Sequence, residues 1–244
     1  LDLFDSKLKS LFKEPEIYRI GTGEFTDSLI WEPVSMQPSH LVKTFAQQKN
    51  SILELKTKSV NVESLLEIDH NRKTVIAWSL NTPRIIQSEE RGTASLESRL
   101  KVARLCESKG YPLAFHFDPL IIYDGCEQEY KSVIQLIFDY VSADNILWIS
   151  LGTFRFMPSL KKIVEGRFKK STIVYGEFIT GLDNKMRYFK PLRISLYKSI
   201  VESIRLYAPD ILIYFCMEDE SVWMESLGFF PYKKGELGHM LDMS

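Results

Sequence analysis

The sequence predicts an α/β fold in which a parallel sheet curls into an open or closed β/α barrel. Short apolar runs rich in β-branched residues alternate with amphipathic segments of helical length, through five strand-like segments. Polar residues follow these runs regularly, and in parallel barrels the residues at the carboxyl ends of the strands face the ligand. This regular placement favours a barrel over a doubly wound sheet.

Two apolar runs lie at the centre of this prediction. Ile52–Leu55 and Thr74–Trp78 flank the leucine-bearing segment Val60–Ile68, which is long enough for a helix. The runs continue into small polar residues that include Lys58 and Ser79. In a β-α-β unit these continuations lie at one rim of the sheet, so we expect both side chains to face a ligand crevice.

The chain before this unit predicts a helix, a strand and a second helix. Apolar residues recur at helical spacing over residues 1–12, Tyr18–Ile20 begins a strand, and Ser35–Gln48 is typical of a helix. The strand ends in Gly21–Asp27, where two glycines flank a threonine. Such a segment lets a ligand approach the backbone closely, or forms a tight loop without one, and composition alone does not decide.

The segment after Asn81 predicts a capped helix. Thr93 and Ser95 precede an apolar-periodic run, with Glu97 and Arg99 early in that run. A hydroxyl residue in this position is an N-cap signal, and a helix start can hold an anion.

The next predicted strand, Pro112–Pro119, carries a polar pair at its tip. His116 and Asp118 are two residues apart and therefore lie on one face of the strand. The pair suits acid–base chemistry or ligand binding, and a hydrogen-bonded structural pair is the other interpretation.

The remaining segments continue the alternation. We predict helices over Glu127–Ser142, Pro158–Val164, Tyr197–Tyr207 and Glu220–Gly228, and strands over Asn145–Phe156 and Ile211–Cys216.

A turn over Gly181–Asn184 separates two segments rich in β-formers, which predicts a hairpin. Cations and rings alternate beyond the turn, namely Lys185, Arg187, Tyr188, Phe189, Lys190 and Arg193. They suit a grip on nucleic acid, or a solvated basic hairpin with aromatic residues in the core.

Composition sets the broad class. The net charge is −1 and no apolar run approaches the length of a membrane span, so we expect a protein without a membrane partner. The three cysteines are scattered, which predicts neither a metal site nor disulfides and favours a reducing, cytoplasmic setting. We also expect a monomer. Residue 1 is Leu and already lies in a helical pattern, which suggests that the start of the sequence is missing.

Eight motifs in order give the chain a family resemblance. They are RIGTGEFTDSL, LELKTKSVN, DHNRKTVIAWSLN, EERGTASLESRL, GYPLAFHFDPLI, WISLGTFRF, NKMRYFKPLR and YFCMEDESVW. Together they resemble the spore photoproduct lyase family of radical S-adenosylmethionine (SAM) enzymes, and the branch outside the spore-repair enzymes most closely. The resemblance implies a partial β/α barrel of the TIM type over residues 1–165, and a C-terminal hairpin and helix extension over 166–244.

The resemblance also implies cofactors and a substrate. The family holds a 4Fe–4S cluster and SAM, which generate a 5′-deoxyadenosyl radical that splits a thymine dimer in DNA. By matching motifs, Thr26, Lys58 and Ser79 fall where SAM is contacted, and Arg99 is a further expected cofactor residue. The hairpin residues fall where the family grips DNA, so we expect DNA contacts from Lys185, Arg187, Tyr188 and Arg193.

Two departures from the family pattern matter. The C-x-x-x-C-x-x-C motif that binds the cluster is missing, and we expect it in a segment ahead of residue 1. Glu24 aligns with the cysteine that returns a hydrogen atom to the product, and a carboxylate O–H bond is too strong for that step. His116 and Asp118 stand where the spore branch carries apolar residues. We therefore take these three residues as candidate catalytic groups of a more polar pocket.

The prediction is a radical SAM lyase that acts on thymine photolesions in DNA or on a related nucleic acid, of which this chain is an inactive fragment. Two alternatives stay open. One is a non-catalytic nucleic-acid-binding remnant, and the other is a radical SAM enzyme with a different substrate.

Overall fold

The main sheet has six parallel strands and curls into a half-barrel. The computed structural model describes residues 2–14, 17–23, 26–232 and 236–242. The strands in chain order are β1 (Tyr18–Thr22), β2 (Ser51–Thr57), β3 (Thr74–Ser79), β4 (Leu113–Leu120), β5 (Ile146–Thr153), β6 (Arg155–Phe156), β7 (Phe178–Thr180), β8 (Met186–Tyr188) and β9 (Leu212–Phe215). The parallel sheet has the order β1-β2-β3-β4-β5-β9. The predicted partial β/α barrel is thus confirmed.

The helices of the described residues are α1 (Asp2–Leu11), α2 (Glu32–Ser35), α3 (Gln37–Ala46), α4 (Pro83–Glu89), α5 (Leu96–Ser108), α6 (Cys126–Tyr140), α7 (Pro158–Arg167), α8 (Lys190–Tyr207), α9 (Glu220–Leu227) and α10 (Glu236–Asp242). Helices such as α3, α5, α6 and α8 pack into the main core and cover the convex face of this sheet. Across the described ranges, none of them has the combined length and apolarity that crossing a bilayer requires.

The strands alternate between two environments. On β2, Leu53 and Leu55 point to the convex side and are fully buried in the main core with the helices, whereas Glu54 points to the concave side. A period of two places successive side chains on opposite faces. Burial of the apolar set therefore forces the polar set into the half-barrel.

A small apolar cluster lines the concave face near the amino ends of the strands. It consists of Val75, Ala77, Ala114 and Trp148. Leu241 of α10 packs against this cluster, and its carbonyl accepts a hydrogen bond from the Arg19 guanidinium. The same guanidinium lies 4.2 Å from the centroid of a Trp148 ring, a cation–π contact. The C-terminal helix thereby closes this end of the half-barrel.

The predicted hairpin is present in a second sheet. Strands β6, β8 and β7 pair antiparallel in that order, so the hairpin β7–β8 attaches to the strand that directly follows β5. Asn184 adopts a φ of 61° in the turn, a conformation that asparagine tolerates better than most residues. The predicted boundary between residues 165 and 166 stays a prediction. Residues on both sides of it contribute strands to the main sheet, because β9 pairs with β5.

One predicted helix is wrong. The connection Val60–Ile68 contains only a three-residue 3₁₀-helix, Glu63–Leu65. Two side chains hold this segment by its backbone: the Trp78 indole donates to the carbonyl of Ser59, just before the connection, and the Tyr111 hydroxyl donates to the carbonyl of Leu65 within it. These tertiary hydrogen bonds hold the segment in an irregular path that leucine spacing does not reveal.

The cap predicted for α5 is present and gives a direct test. The Ser95 hydroxyl accepts a hydrogen bond from the Ser98 amide at 3.2 Å. We expect Ser95→Ala to lower the free energy of unfolding by about 1 kcal/mol, because an amide at the helix start loses its acceptor. Urea denaturation followed by circular dichroism measures the change. Ser132→Ala, on the exposed surface of α6, is the control and should stay within about 0.5 kcal/mol of the wild type.

Candidate active site

A single carboxylate joins the first two strand ends. The Asp27 carboxylate accepts hydrogen bonds from the Thr57 hydroxyl and from the Lys58 amide, both at 2.7 Å. It also accepts from the Leu29 amide at 2.9 Å. The loop after β1 is therefore fixed over the carboxyl end of β2, and Thr26, which precedes Asp27, is exposed at this rim.

The glycine-rich segment allows a close approach of backbones at the same place. Gly23 has a φ of +92°, and a Cβ on it would lie 2.5 Å from the Lys56 carbonyl oxygen. Only glycine fits both the conformation and the space. Glu24, the residue aligned with the hydrogen-donating cysteine, lies outside the described residues.

Lys58 is held by a buried ion-pair network. Its ammonium donates to one oxygen of Glu90 at 2.7 Å, and the Arg99 guanidinium donates to the other at 2.6 Å. Arg99 is fully buried and also donates to the Ser79 carbonyl and to the Thr93 hydroxyl, both at 2.8 Å. Arg99 thus lies behind the rim and acts on it through Glu90, whereas the side chain of Lys58 is 32% exposed.

A cavity of about 340 Å³ opens beside Lys58. Its lining includes Asp27, Asn61 and Thr93, together with the backbone around Gly92. A cation, a carboxylate, an amide and a hydroxyl around one cavity suit a ligand with an amino-acid head group, which carries both charges. The residues present therefore fit the methionine part of SAM. Ser79 is buried at the carboxyl end of β3.

His116 belongs to a polar chain across the concave face. Its Nε2 lies 2.7 Å from a Glu54 carboxylate oxygen and its Nδ1 lies 2.5 Å from the Ser150 hydroxyl oxygen. The contact with Glu54 crosses strand β3 at Ala77, which has no side chain long enough to block it. Burial alone raises the pKa of Glu54, but the hydrogen bond and charge of His116 outweigh burial, so this pKa lies below its ordinary value.

Asp118 belongs to a different group, nearer the rim. Arg155 donates to both oxygens of Asp118, at 2.9 and 3.1 Å, and contacts the Cys216 sulfur at 3.2 Å. Burial raises the pKa of Asp118, but the hydrogen bonds and charge of Arg155 bring it below its ordinary value. Burial and the Asp118 charge raise the pKa of Cys216 to about 11, so its thiol is protonated at neutral pH.

The predicted pair is therefore divided between two groups. His116 and Asp118 share the concave face as predicted, yet each pairs with residues from other strands. Sequence reasoning missed Glu54, Ser150 and Cys216 as members of these groups. Strand alternation could have found them, because each takes the inward position beside outward apolar residues.

The cations predicted to grip DNA are engaged within the protein. Arg187 donates to Asp183 at 2.5 Å and to the Met217 carbonyl at 3.1 Å. Arg193 is buried and pairs with Glu218, whose side chain is 2% exposed. Lys185 has a longer ion pair, 3.9 Å, with the same Asp183.

Tyr188 is also part of the interior. It is 4% exposed, its ring packs 4.7 Å from Phe178, and its hydroxyl accepts a hydrogen bond from the Ile122 amide. The hairpin cations thus pair largely with Asp183 of the hairpin itself, and Arg187 and Tyr188 join the hairpin to Met217 and Ile122. Contact with DNA through these residues stays a prediction.

The cysteines do not form a cluster site. Cys106 and Cys126 are buried on helices α5 and α6, and Cys216 lies beyond β9. In the described part of the chain, no group of three or more His, Cys, Asp or Glu side chains is arranged to hold a metal ion. A 4Fe–4S cluster with three thiolate ligands therefore does not fit the residues of this chain.

The fold and its rim define an incomplete β/α barrel with polar groups at the carboxyl ends of the strands, where such barrels carry their sites. The chain belongs to the spore photoproduct lyase family, because the family model described as "Spore photoproduct lyase" matches residues 3–191. The predicted family is confirmed, and it is a family of lyases.

Curated relatives agree with this assignment. Spore photoproduct lyase of Clostridium acetobutylicum is 26% identical over 201 residues, which cover 76% of this chain and 60% of the relative. The protein of the same name from Bacillus subtilis is 26% identical over 204 residues, 83% of this chain and 57% of the relative. That from Geobacillus sp. is 31% identical over 190 residues, 77% of this chain and 54% of the relative. The chain thus spans somewhat more than half the length of these relatives.

Solved structures share the fold. Spore photoproduct lyase complexed with dinucleoside spore photoproduct superposes with a TM-score of 0.80 at 22% identity, over 88% of this chain and 66% of that one. A mutant with bound AdoMet and dinucleoside spore photoproduct gives the same TM-score, identity and coverage. At this identity the likeness establishes the half-barrel architecture.

The Asp118–Arg155 pair predicts a pH dependence of stability. The folded pKa of Asp118 lies below its ordinary value of 3.8, so the ionised pair stabilises the fold fully above that value. We expect Asp118→Asn to cost about 1–3 kcal/mol at pH 7. The cost should shrink as the pH falls through the lower, folded pKa. Urea titrations between pH 7 and pH 2 measure this, and Asp124→Asn, at an exposed site, is the control.

Arg193 predicts a purely structural effect. Arg193→Met leaves the buried Glu218 without its cation, so we expect a loss of about 3–5 kcal/mol in the free energy of unfolding. Adding Glu218→Gln removes the stranded charge while keeping an acceptor for the Tyr197 hydroxyl, and should restore part of the loss. Thermal denaturation of both variants provides the measurement. A loss below about 1 kcal/mol, as for a surface charge, would contradict the role assigned to the pair.

Proposed function

We propose that the complete protein is a radical SAM lyase that repairs thymine photolesions in DNA, and that this chain supplies its SAM rim and substrate chamber. The observation that supports the proposal most directly is the family match over residues 3–191. The cavity beside Lys58 gives the same rim a chemically suitable ligand site. Both lie on the half-barrel that this chain shares with a spore photoproduct lyase solved with bound AdoMet.

Three rim residues are the ones we assign to SAM. Lys58 supplies a compact positive charge for the carboxylate of the ligand, and Thr26 and Ser79 supply hydroxyl groups. Arg99 is a positioning residue, because it is fully buried and acts on the ligand site through Glu90, Thr93 and the Ser79 carbonyl. When bound, SAM supplies the 5′-deoxyadenosyl group of the reaction. The ligands of the iron–sulfur cluster lie outside the residues of this chain, and Cys106, Cys126 and Cys216 do not bind it.

The chamber is the concave face lined by Glu54, His116, Ser150, Asp118 and Arg155. These side chains hold one another, and the protons and charges they carry, in fixed positions. His116 is held between two partners, because its Nε2 lies within hydrogen-bond distance of the Glu54 carboxylate and its Nδ1 lies within hydrogen-bond distance of the Ser150 hydroxyl. Arg155 keeps Asp118 ionised at neutral pH. Glu24 stays a candidate catalytic residue, and its only support is the match of its position to a family motif.

A polar chamber also favours a second candidate, a radical SAM enzyme with a substrate other than a thymine photolesion. The thymine bases of such a lesion are neutral and offer methyl groups, carbonyl oxygens and N–H groups, so they form no ion pair with charged walls. Here His116 and the Asp118–Arg155 pair face the chamber. Product analysis with ultraviolet-irradiated DNA separates the two candidates, because only the first consumes the lesion.

The role of Lys58 can be tested by binding alone. We expect Lys58→Ala to weaken SAM binding by about tenfold or more, since a charge-assisted contact contributes about 1.5–3 kcal/mol. Isothermal titration calorimetry with SAM measures the affinity. Lys73→Ala is the matched control, because that ammonium donates to the Lys49 carbonyl at the amino end of β3. Equal affinity of the two variants would remove Lys58 from the site.

The chemistry needs the complete reading frame. We expect the protein expressed from that frame, reconstituted anaerobically with iron and sulfide, to release 5′-deoxyadenosine from SAM under reducing conditions. Chromatography of the reaction mixture provides the measurement, and the same protein without reconstitution is the control. A reconstituted protein that leaves SAM intact would overturn the enzymatic proposal and favour a non-catalytic nucleic-acid-binding role.

A further inference from the structure

Exposed cations without ion-pair partners gather on α7 and the segment that follows it. Residues 158–176 carry five cations and only one carboxylate, Glu165, in a chain whose net charge is −1. These cations are all exposed and are here named the basic surface: Lys161, Lys162, Arg167, Lys169 and Lys170. Within the described ranges, none of the five forms an ion pair. Positive potential is therefore concentrated on a protein that is otherwise slightly acidic.

Aromatic rings lie between these cations. The Lys161 ammonium is 5.6 Å from the ring centroid of Tyr175, which is 57% exposed. The guanidinium groups of Arg91 and Arg167 lie 4.8 and 5.7 Å from the ring centroid of Phe168. Cations interleaved with exposed rings are the elements with which proteins bind single-stranded nucleic acid, because phosphates meet the charges and bases stack on the rings.

A pocket of about 470 Å³ adjoins the basic surface. It lies between α4 and the segment 170–176, and Arg84, Tyr123, Lys170 and Tyr175 are among its lining residues. Its size falls within the range of small-ligand sites. Tyr123 follows the carboxyl end of β4, so the pocket lies at the rim of the half-barrel.

The wall of the pocket is firmly built. The Ser171 hydroxyl donates to the Glu89 carboxylate of α4 at 2.7 Å, and Ser171 and Val174 are both buried. The segment that carries Lys170 and Tyr175 is thus attached to the barrel at two points, and both of these side chains are exposed. This arrangement keeps the charges in place without partners of their own.

The hairpin differs in this respect. Arg187 and Arg193, two of the residues predicted to contact DNA, direct their donors to Asp183, Glu218 and backbone carbonyls. A phosphate would have to compete with those partners, whereas none of the five cations of the basic surface has an ion-pair partner among the described residues.

We propose that the basic surface binds the sugar-phosphate backbone of a nucleic-acid strand beside the mouth of the half-barrel, and that the adjoining pocket receives one base of that strand. This inference rests on the proposed function, because it names the surface that holds the DNA on which the lyase acts. The partner is a polyanion with stackable bases, which accounts for the charges and the rings together.

Salt dependence provides the test. The probe is a fluorescein-labelled 20-nucleotide thymine-rich single strand, and its anisotropy gives the affinity for the intact chain at several salt concentrations. A variant with Lys161, Lys162, Lys169 and Lys170 changed to Gln should bind more weakly. The slope of log affinity against log salt should fall by about 0.7 for each phosphate that the variant no longer neutralises, so by up to about three.

A matched control removes the same charge elsewhere. Lys7, Lys13, Lys43 and Lys49, all exposed on or beside the outer helices α1 and α3, are changed to Gln together. We expect this variant to keep the wild-type slope. Equal losses of affinity in the two variants, or no loss in the first, would overturn the inference while leaving the proposed function intact. A wild-type chain that binds no oligonucleotide would instead overturn DNA as the partner, and the inference with it.

The pocket is tested by its exposed ring. Tyr175→Ala should weaken binding of the same oligonucleotide about tenfold, whereas Tyr175→Phe, which keeps the stacking face, should bind like the wild type. Equal weakening by both would exclude stacking. Tighter binding of the wild type to phosphatidylserine vesicles than to the oligonucleotide would assign the basic surface to a lipid and overturn the proposal.

Discussion

The buried contact between Arg99 and Glu90 is the interaction on which the rim depends. A guanidinium without solvent access must find acceptors for its donors, and here the acceptors come from the end of β3, from the loop after α4 and from the start of α5. The second oxygen of Glu90 then holds Lys58. One interior charge pair therefore sets the distance between neighbouring strand ends and the direction of the exposed ammonium.

Above this interior pair, the concave face is graded along the strands. Apolar side chains around Trp148 fill the amino end, the Glu54–His116–Ser150 chain crosses the middle, and the Asp118–Arg155 pair stands near the rim. The charges of Glu54, Asp118 and Arg155 are tolerated in this interior because each has a partner from another strand. The concave face is therefore apolar at the amino ends of the strands and polar at their carboxyl ends. Such barrels carry their ligand sites at the carboxyl ends.

The local sequence pattern was sufficient to predict most of the strands and helices, but it was insufficient to predict which side chains pair with one another. Periodicity placed strands β2 to β5 and the α5 cap, because burial and capping act over a few residues. It failed at Val60–Ile68, where the indole of Trp78 and the hydroxyl of Tyr111 decide the path. Likewise, His116 and Asp118 were found as strand-end residues, yet Glu54 and Arg155 come from distant strands, and one sequence carries no signal for that pairing. The pairing of Arg193 with Glu218 escaped prediction for the same reason, whereas Asp183 is only four residues from Arg187.

The position of the small sheet has a structural consequence. Strands β6 to β8 form an insertion whose two ends leave the main sheet at β5 and return to it, through α8, at β9, its immediate neighbour. The Arg187 guanidinium is bonded to the carbonyl of Met217, the residue after Cys216. Arg155, at the start of the insertion, contacts Asp118 of β4 and the Cys216 sulfur after β9. The residues that hold the hairpin in place therefore also form one wall of the polar concave face.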